Sequence, residues 1–418
     1  MTPSTMNGEA VTNQRKISPM PKTVLSLGSE ADALRRARDL VPALRQRARA
    51  VDENRALSRE AIKDLVDSGL FGITTPRSFG GSELGFATLV RVTSTIAAAC
   101  GSTGWVYGVL AGHSWLLNLF PLEAQQEILE DPRALIATVF RLGGQIVEAD
   151  GGYRLTGGEG RFCTGVDHAT WVIVGNSVQK PDGGTEARFF VLPRSDIEVV
   201  DDWFTVGLRG TGSRSIRIAD AFIPAHRSVS LKDMLDGTSP GAKVHKGVLY
   251  RQPFSDVVPF SIIGAPLGIA QGAVRDFAAH LGGRLNGMDD MFIAQQSPTL
   301  ARLATAGAEA DAAMALTLEN ATRIESAEDP GAIAPLDRAR LPRDWAYAVQ
   351  TARKAVNRIF EAAGGSAVYA DSDLQRVWRD ANAAAQHFAF TWDSAMATFG
   401  RTMVGARTDG FTLKSKSR

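Results

Sequence analysis

The spacing of apolar residues changes twice along this chain, and those two changes restrict its folds more than any other feature. From about residue 136 to 228 the period is two. IATVF, GGYRLTG, TWVIVGNSV, ARFFVLP, IEVVDDW and RSIRIADAFIP are short β-rich runs separated by Gly, Asp and Pro turns. On either side the period is helical. Leu34, Ala37, Val41, Leu44, Ala48 and Val51 recur at alternating three- and four-residue steps, which places them on one helical stripe. Ser58 is an N-cap for a helix over Arg59–Leu70, a Gly80-Gly81 turn follows, and Phe86–Cys100 returns to helix. Beyond an irregular connection over 229–255, four Ala-rich segments (Ile269–Leu281, Thr299–Glu325, Asp337–Ala363 and Asp373–Gly400) give the helix count of a bundle. The expectation is an α+β protein in four parts. These are a mobile extension over 1–28, a helical domain over 29–135, a β domain over 136–228 and a helical bundle over 229–418.

At 418 residues the chain exceeds one ordinary core. Forty-six basic side chains face 45 acidic ones, so no global field favours nucleic acid or an anionic membrane. Only Cys100 and Cys163 occur, which excludes a disulfide framework and an all-cysteine metal site and fits a reducing cytoplasm. No metal site is expected. Lys16 and Lys22 are followed by no apolar core, so the first residues do not read as a signal peptide. No run is expected to span a bilayer.

Four segments carry candidate chemistry. GLRGTGSRS (207–215) is glycine-rich, but it lies between β runs with no helix after it, so it reads as a turn or inter-domain loop. No Walker motif occurs either, and the chain is not expected to reduce a redox cofactor with NAD(P)H by itself. GRFCTGVDHATW (160–171) places Thr164 in a turn just before a strand. On its own that hydroxyl reads equally as a turn-satisfying group. CGSTGWVYGVLAGHSW (100–115) sets Trp105 and His113 eight residues apart, two turns along one side of a helix. Taken alone, His113 reads as a satisfied core histidine. The last segment contains Gly364-Gly365, LQRVWRD (374–380) and a stretch over 381–392 without any acidic residue, in which His387 and Phe388 stand side by side. Arg376 and Arg379 are open between a ligand role and salt bridges to Asp373 or Asp380.

Taken together, these motifs resemble the acyl-CoA dehydrogenase superfamily. CGSTGWV with a following His–Trp pair is similar to the oxygenase components of its two-component, flavin-dependent monooxygenases. The resemblance runs from about residue 30 to 405. It implies a helical domain, a central small β-barrel or sandwich, and a C-terminal four-helix bundle. In the dehydrogenases the helix after RD carries a glutamate that removes a substrate α-proton; here Phe388 stands at that position. The resemblance therefore implies oxygen chemistry, in which reduced FMN or FAD from a separate NAD(P)H:flavin reductase reacts with O2. A flavin C4a-hydroperoxide then transfers one oxygen to a small aromatic substrate, a phenol or an indole-like ring.

The residue roles implied by the resemblance are as follows. Thr164 acts as a hydroxyl donor at flavin N5, and Phe162 and Cys163 form the same turn, with no redox role for Cys163. Trp105 borders the flavin, and Gly364, Gly365 and Arg376 belong to the flavin neighbourhood. His113 holds the substrate hydroxyl. His387 acts as a base or binds the distal oxygen, while Val139, Phe140 and Phe388 line the substrate. A homotetramer is implied as well. S- or N-oxygenation on the same scaffold, an FAD-dependent acyl-CoA dehydrogenase and a non-enzymatic helical adaptor are the alternatives.

Overall fold

A computed structural model describes residues 26–406 apart from 181, 182 and 289. The expected extension over 1–28 lies mostly outside these residues. Its last part does not behave as a mobile tail, because Leu27 is fully buried and its N–H donates to Ser82 Oγ at 2.8 Å.

The first block consists of α1 (Glu30–Asn54), α2 (Arg59–Asp67), α3 (Phe86–Ala97), α4 (Gly101–Leu117) and α5 (Leu122–Leu129). Ser58 caps α2 as its sequence predicts, its hydroxyl accepting from Ala61 N–H. Every residue of α4 is buried. Glycine makes this possible. A Cβ at Gly108 would lie 2.1 Å from Ser261 O, and one at Gly112 would lie 2.2 Å from Ser261 Cβ. The α4 backbone is thereby pressed against α9 (Phe260–Leu285), which runs through the middle of the molecule.

Eight strands follow: β1 (Ile136–Val139), β2 (Gln145–Ala149), β3 (Gly152–Cys163), β4 (Trp171–Gln179), β5 (Thr185–Pro193), β6 (Glu198–Val200), β7 (Arg214–Pro224) and β8 (Ser228–Ser230). They form one mixed sheet in the order β6-β7-β3-β2-β4-β5-β8, with β1 parallel to β4. Register sorts the two faces. Val139 pairs with Val174, which pairs with Phe190, and the Phe190 ring packs on Tyr153 of β3 inside the domain. Side chains alternate along a strand, so Ile136 and Thr138 face the other way, towards the helices.

Short helices α6 (Leu231–Leu235), α7 (Pro240–Val244) and α8 (Phe254–Val257) occupy the connection expected to be irregular. The bundle then contains α9, α10 (Asp290–Gln295), α11 (Ser297–Glu325), α12 (Pro335–Ala363), α13 (Asp373–Ala384) and α14 (Trp392–Met403). The expected fourth helix over 373–400 is in fact two. It breaks at His387, whose backbone is extended and whose Nδ1 accepts from Ala389 N–H at 3.3 Å. A side chain that captures a local N–H competes with the helical bond, and the His-Phe-Ala-Phe-Thr run has little helix propensity to resist it.

One stretch, Phe254–Leu285, is long and apolar enough to cross a membrane by length and composition, contrary to the sequence expectation. Its most apolar window is 83% buried inside the fold, as a central core helix requires. Among the described residues no group of three His, Cys, Asp or Glu is placed to hold a metal.

Candidate active site

The site is built where α4, the β1 end, the β3–β4 turn and the α13–α14 break converge. α4 supplies two side chains. His113 is buried, and its Nδ1 lies 3.1 Å from Ile136 O. A carbonyl can only accept, so Nδ1 carries the proton and Nε2 presents a lone pair. Burial lowers the His113 pKa to about 4, the carbonyl bond opposing that shift, so the ring is neutral at physiological pH. Trp105, two turns earlier, is buried with its indole beside His387, ring centroids 5.6 Å apart.

His387 has the opposite polarity. Its Nδ1 accepts from Ala389 N–H, so the proton sits on Nε2, which can donate. Burial also lowers its pKa to about 4. A neutral imidazole whose outer nitrogen is already protonated can donate from that nitrogen but cannot accept a proton there. His113 Nε2 is the free lone pair.

Rings join the two histidines in a continuous arc. His387 lies on Phe388 at 4.5 Å, Phe388 meets Phe140 at 6.4 Å, and Phe140 meets His113 at 6.0 Å. Phe140 also touches Phe189 at 6.1 Å and Phe254 at 5.8 Å. Gly175 makes the Phe140–Phe189 contact possible, since a Cβ there would lie 2.3 Å from Phe140 O and 3.1 Å from the Phe189 ring. Phe388 is 60% exposed and forms the open side of the arc. Thr138, on the same strand face as Ile136, has a buried hydroxyl without a hydrogen-bond partner. Phe254, Phe189 and Thr138 were not singled out from sequence. A phenylalanine in a β-run or a connection carries no signal until the register is known.

Val139 does not join this group. A Cβ at Gly160 would come within 2.6 Å of Val139 Cγ1, so Val139 packs between β1 and β3, on the face away from the arc.

The Phe162–Gly165 turn docks on α4, where the Leu110 side chain packs against Gly165 (φ +74°). Phe162 itself has φ 64° and is 67% exposed, edge-on to Trp203 at 6.0 Å. A non-glycine residue at positive φ that holds a phenyl ring in solvent is costly unless something covers it. Cys163 is fully buried and burial raises its thiol pKa, which makes it inert. Thr164 is buried, and its Oγ1 lies 2.7 Å from Ser213 Oγ. The 207–215 loop is therefore an inter-domain loop, as its sequence suggested, but it also reaches the site, which sequence spacing did not show. His168 is half-buried and stands outside these contacts.

α13 fixes that loop. Asp380 accepts from Leu208 N–H at 2.6 Å, and Arg379 donates to Val206 O at 2.8 Å and to Asp52 at 2.8 Å. Arg379 therefore pairs with Asp52 rather than with Asp373 or Asp380. Burial raises the Asp380 pKa to about 6, against the pull of the Leu208 N–H. Arg376 bonds Asp373 at 2.7 Å and borders a separate cavity of about 790 Å³, with Cys100, Asp380, Ser366, Tyr369 and Arg284 also on its wall. Gly364, with φ 66°, ends α12 beside Gly365 at the edge of that region. Gly364, Gly365 and Arg376 thus stand apart from the aromatic arc, at the far end of α13.

The family model for the acyl-CoA dehydrogenase N-terminal domain matches residues 30–130, and that for the C-terminal domain matches 261–392. The flavin-dependent monooxygenase oxygenase subunit HsaA of Mycobacterium tuberculosis is 35% identical over 370 residues, covering 88% of this chain and 94% of that protein. This chain belongs to the acyl-CoA dehydrogenase-fold flavin-dependent monooxygenases. The oxygenase component of a FADH2-dependent resorcinol hydroxylase from a Rhizobium strain is 32% identical, covering 88% of this chain and 92% of its own. Among solved structures, the 3-HSA hydroxylase of Rhodococcus sp. RHA1 superposes with a TM-score of 0.84 at 31% identity, covering 90% of this chain and 97% of that one. The family uses reduced flavin, and the residues here suit it. The exposed Phe162 ring, edge-on to the half-buried Trp203 of the neighbouring loop, and the buried Thr164 hydroxyl of the same turn as Phe162 are of the kinds that suit a planar heteroaromatic ring, apolar cover beside a polar contact.

Proposed function

We propose that this oxygenase inserts one atom of O2 into a small, uncharged aromatic substrate held in the arc of His113, Phe140, Phe254 and Phe388. Bound reduced flavin supplies two electrons and activates O2, and the second oxygen leaves as water. In this reading Thr164, Phe162, Trp105 and the Cys163 backbone form the flavin wall. His113 Nε2 accepts the proton of a substrate O–H or N–H and so fixes the ring's orientation. His387 Nε2–H points a neutral donor at developing negative charge near Trp105. The aromatic rings exclude water from the reacting atoms.

The observation that carries the reading is the pair of neutral imidazoles with opposite polarity inside an aromatic arc, where a dehydrogenase of this fold would need a carboxylate. The chain has neither a Rossmann nor a Walker element, and in this reading a separate NAD(P)H:flavin reductase delivers FMNH2 or FADH2. Gly364, Gly365 and Arg376 border the part of the flavin site remote from the reacting ring. The working assembly is a homotetramer, with exposed Tyr347, Trp392, Met403 and Val404 on α12, α14 and its end as an apolar contact face.

The test is to mix anaerobically reduced FMN or FAD with the protein and a panel of phenols and indoles, then admit ¹⁸O2. One labelled oxygen in a ring-hydroxylated product is expected. Absence of label from every product, with flavin bleached instead by an acyl-CoA thioester, would return the chain to the dehydrogenases.

A further inference from the structure

We propose that Ser213 and Thr211 fix the polarity of the Thr164 hydroxyl, so that it offers a lone pair and thereby selects a flavin whose N5 carries a proton. The proposal rests on the reading of the Thr164 turn as the flavin site.

Three hydroxyls form a single line. Thr164 Oγ1 is 2.7 Å from Ser213 Oγ, and Ser213 Oγ is 2.8 Å from Thr211 Oγ1. Thr211 Oγ1 then lies 2.9 Å from Leu208 O. Each hydroxyl has one proton. The last acceptor is a carbonyl, which can only accept, so the Thr211 proton must point to Leu208 O. Thr211 is then the acceptor towards Ser213, and the single Ser213 proton is used there. Ser213 in turn accepts from Thr164, and the Thr164 proton is used as well. Only lone pairs remain on Thr164 Oγ1. The sequence expectation of Thr164 as a donor is thereby reversed.

The line is well anchored and dry. Leu208 is held at φ 50°, its N–H on Asp380 at 2.6 Å, and its carbonyl also receives Trp203 Nε1–H and Thr211 N–H, each at 3.1 Å. Thr164, Ser213 and Thr211 are all buried, so solvent is a poor source of competing donors. Reduced flavin presents an N–H at N5, which an acceptor satisfies. Oxidised flavin presents a lone pair there, and a lone pair facing a lone pair leaves both unpaired. A mismatch of this kind corresponds to roughly ten- to hundredfold in affinity. Such selectivity suits an enzyme that must capture the reduced form and release the spent one.

The experiment measures binding and needs no turnover. The full-length protein is titrated anaerobically with oxidised and with dithionite-reduced FMN and FAD, followed by fluorescence, for wild type and for Ser213→Ala, Thr211→Val and Thr164→Ser. Wild type and Thr164→Ser should prefer reduced flavin. Ser213→Ala and Thr211→Val each release the Thr164 proton to point outward, and each should shrink the ratio of oxidised to reduced Kd about tenfold. For a two-electron couple that equals a fall of about 30 mV in the bound flavin's potential. Either relay variant that folds with wild-type thermal stability and keeps the wild-type ratio would overturn the relay. Should one variant fail to fold, the other decides. If wild type binds neither flavin in either state, the flavin reading of the turn fails instead, which is a separate outcome.

Discussion

The imidazole of His387 stands edge-on to the indole of Trp105, with ring centroids 5.6 Å apart and planes at 64°. The contact joins α4 to the break between α13 and α14, and it ties together the two sequence segments with the most characteristic residues. His387→Ala removes a neutral donor from this position without disturbing the Thr164 turn. Flavin affinity should stay within about twofold of wild type. Product formed per reduced flavin should fall by about tenfold or more, the difference appearing as hydrogen peroxide. Equal coupling in wild type and variant would remove His387 from the chemistry.

Acid should destabilise the fold through histidines that are buried, His113 and His245, or half-buried, His387. Burial lowers the pKa values of His113, His387 and His245 to about 4, from an ordinary 6.5. Their contribution is fully present above pH 6.5 and is lost as pH falls towards 4, because the unfolded chain takes up those protons first. Each is worth on the order of 3 kcal/mol. Asp380 acts in the opposite sense, since its raised pKa makes its burial more costly as pH rises from 3.8 to about 6. Asp256 and Glu325, also raised by burial, act with Asp380, and His168, also lowered by burial, acts with the other histidines. The histidines take up their protons in the unfolded chain across the whole interval from pH 6.5 down, so urea unfolding should show lower stability at pH 5 than at pH 7.5. His245 hydrogen-bonds Gln125 at 2.7 Å, remote from the aromatic arc, and isolates the effect. His245→Gln should lessen this pH dependence by about one proton, and an unaltered slope would contradict the assignment.

Thr138 offers a stability test with a functional counterpart. Its hydroxyl is buried and unpartnered, two residues from the carbonyl that anchors His113 and two from the Phe140 ring. Replacing an unsatisfied hydroxyl with a methyl of similar shape removes a desolvation penalty of about 1 kcal/mol. Thr138→Val should raise the thermal midpoint of the ligand-free protein by a degree or more. If a substrate hydroxyl pairs with Thr138, the same variant should bind phenols about threefold to tenfold more weakly. A lower midpoint would show that the hydroxyl has a partner in the folded protein.

How far the sequence could be read depended on the range of the signal. Period alone located the helical and β segments and Ser58, because those are local. The motifs with fixed spacing, Trp105 to His113 and Phe162 to Gly165, fall on α4 and on the turn docked against it, the two sides of the candidate site. What was missed is non-local. The 207–215 loop gives no indication in its own spacing that Ser213 will meet Thr164, 49 residues earlier. Val139 and Phe140 looked equivalent, yet strand alternation turns Val139 into the β domain and leaves Phe140 in the arc. The break at His387 arises from one side chain capturing Ala389 N–H, a bond no periodicity encodes.

The clamp on that loop gives the last prediction. Arg379 and Asp52 are each about 15% exposed, and Arg379 also donates to Val206 O, so α1, α13 and the loop meet at one guanidinium. Removing one partner of a mostly buried pair leaves the other charge uncompensated, at a cost of about 3 kcal/mol. Arg379→Ala should therefore lower stability, and Arg379→Lys should recover little, because an ammonium cannot reproduce the forked contact to Asp52 and Val206. Asp52→Asn retains an acceptor and should lie between the two. Because Trp203, Phe204 and Ser213 flank the clamped residues, a loosened loop should also weaken reduced-flavin binding by about tenfold. Loss of stability with unchanged flavin affinity would show that the clamp serves the fold alone, and that the loop is rigid enough without it to hold Ser213 on Thr164.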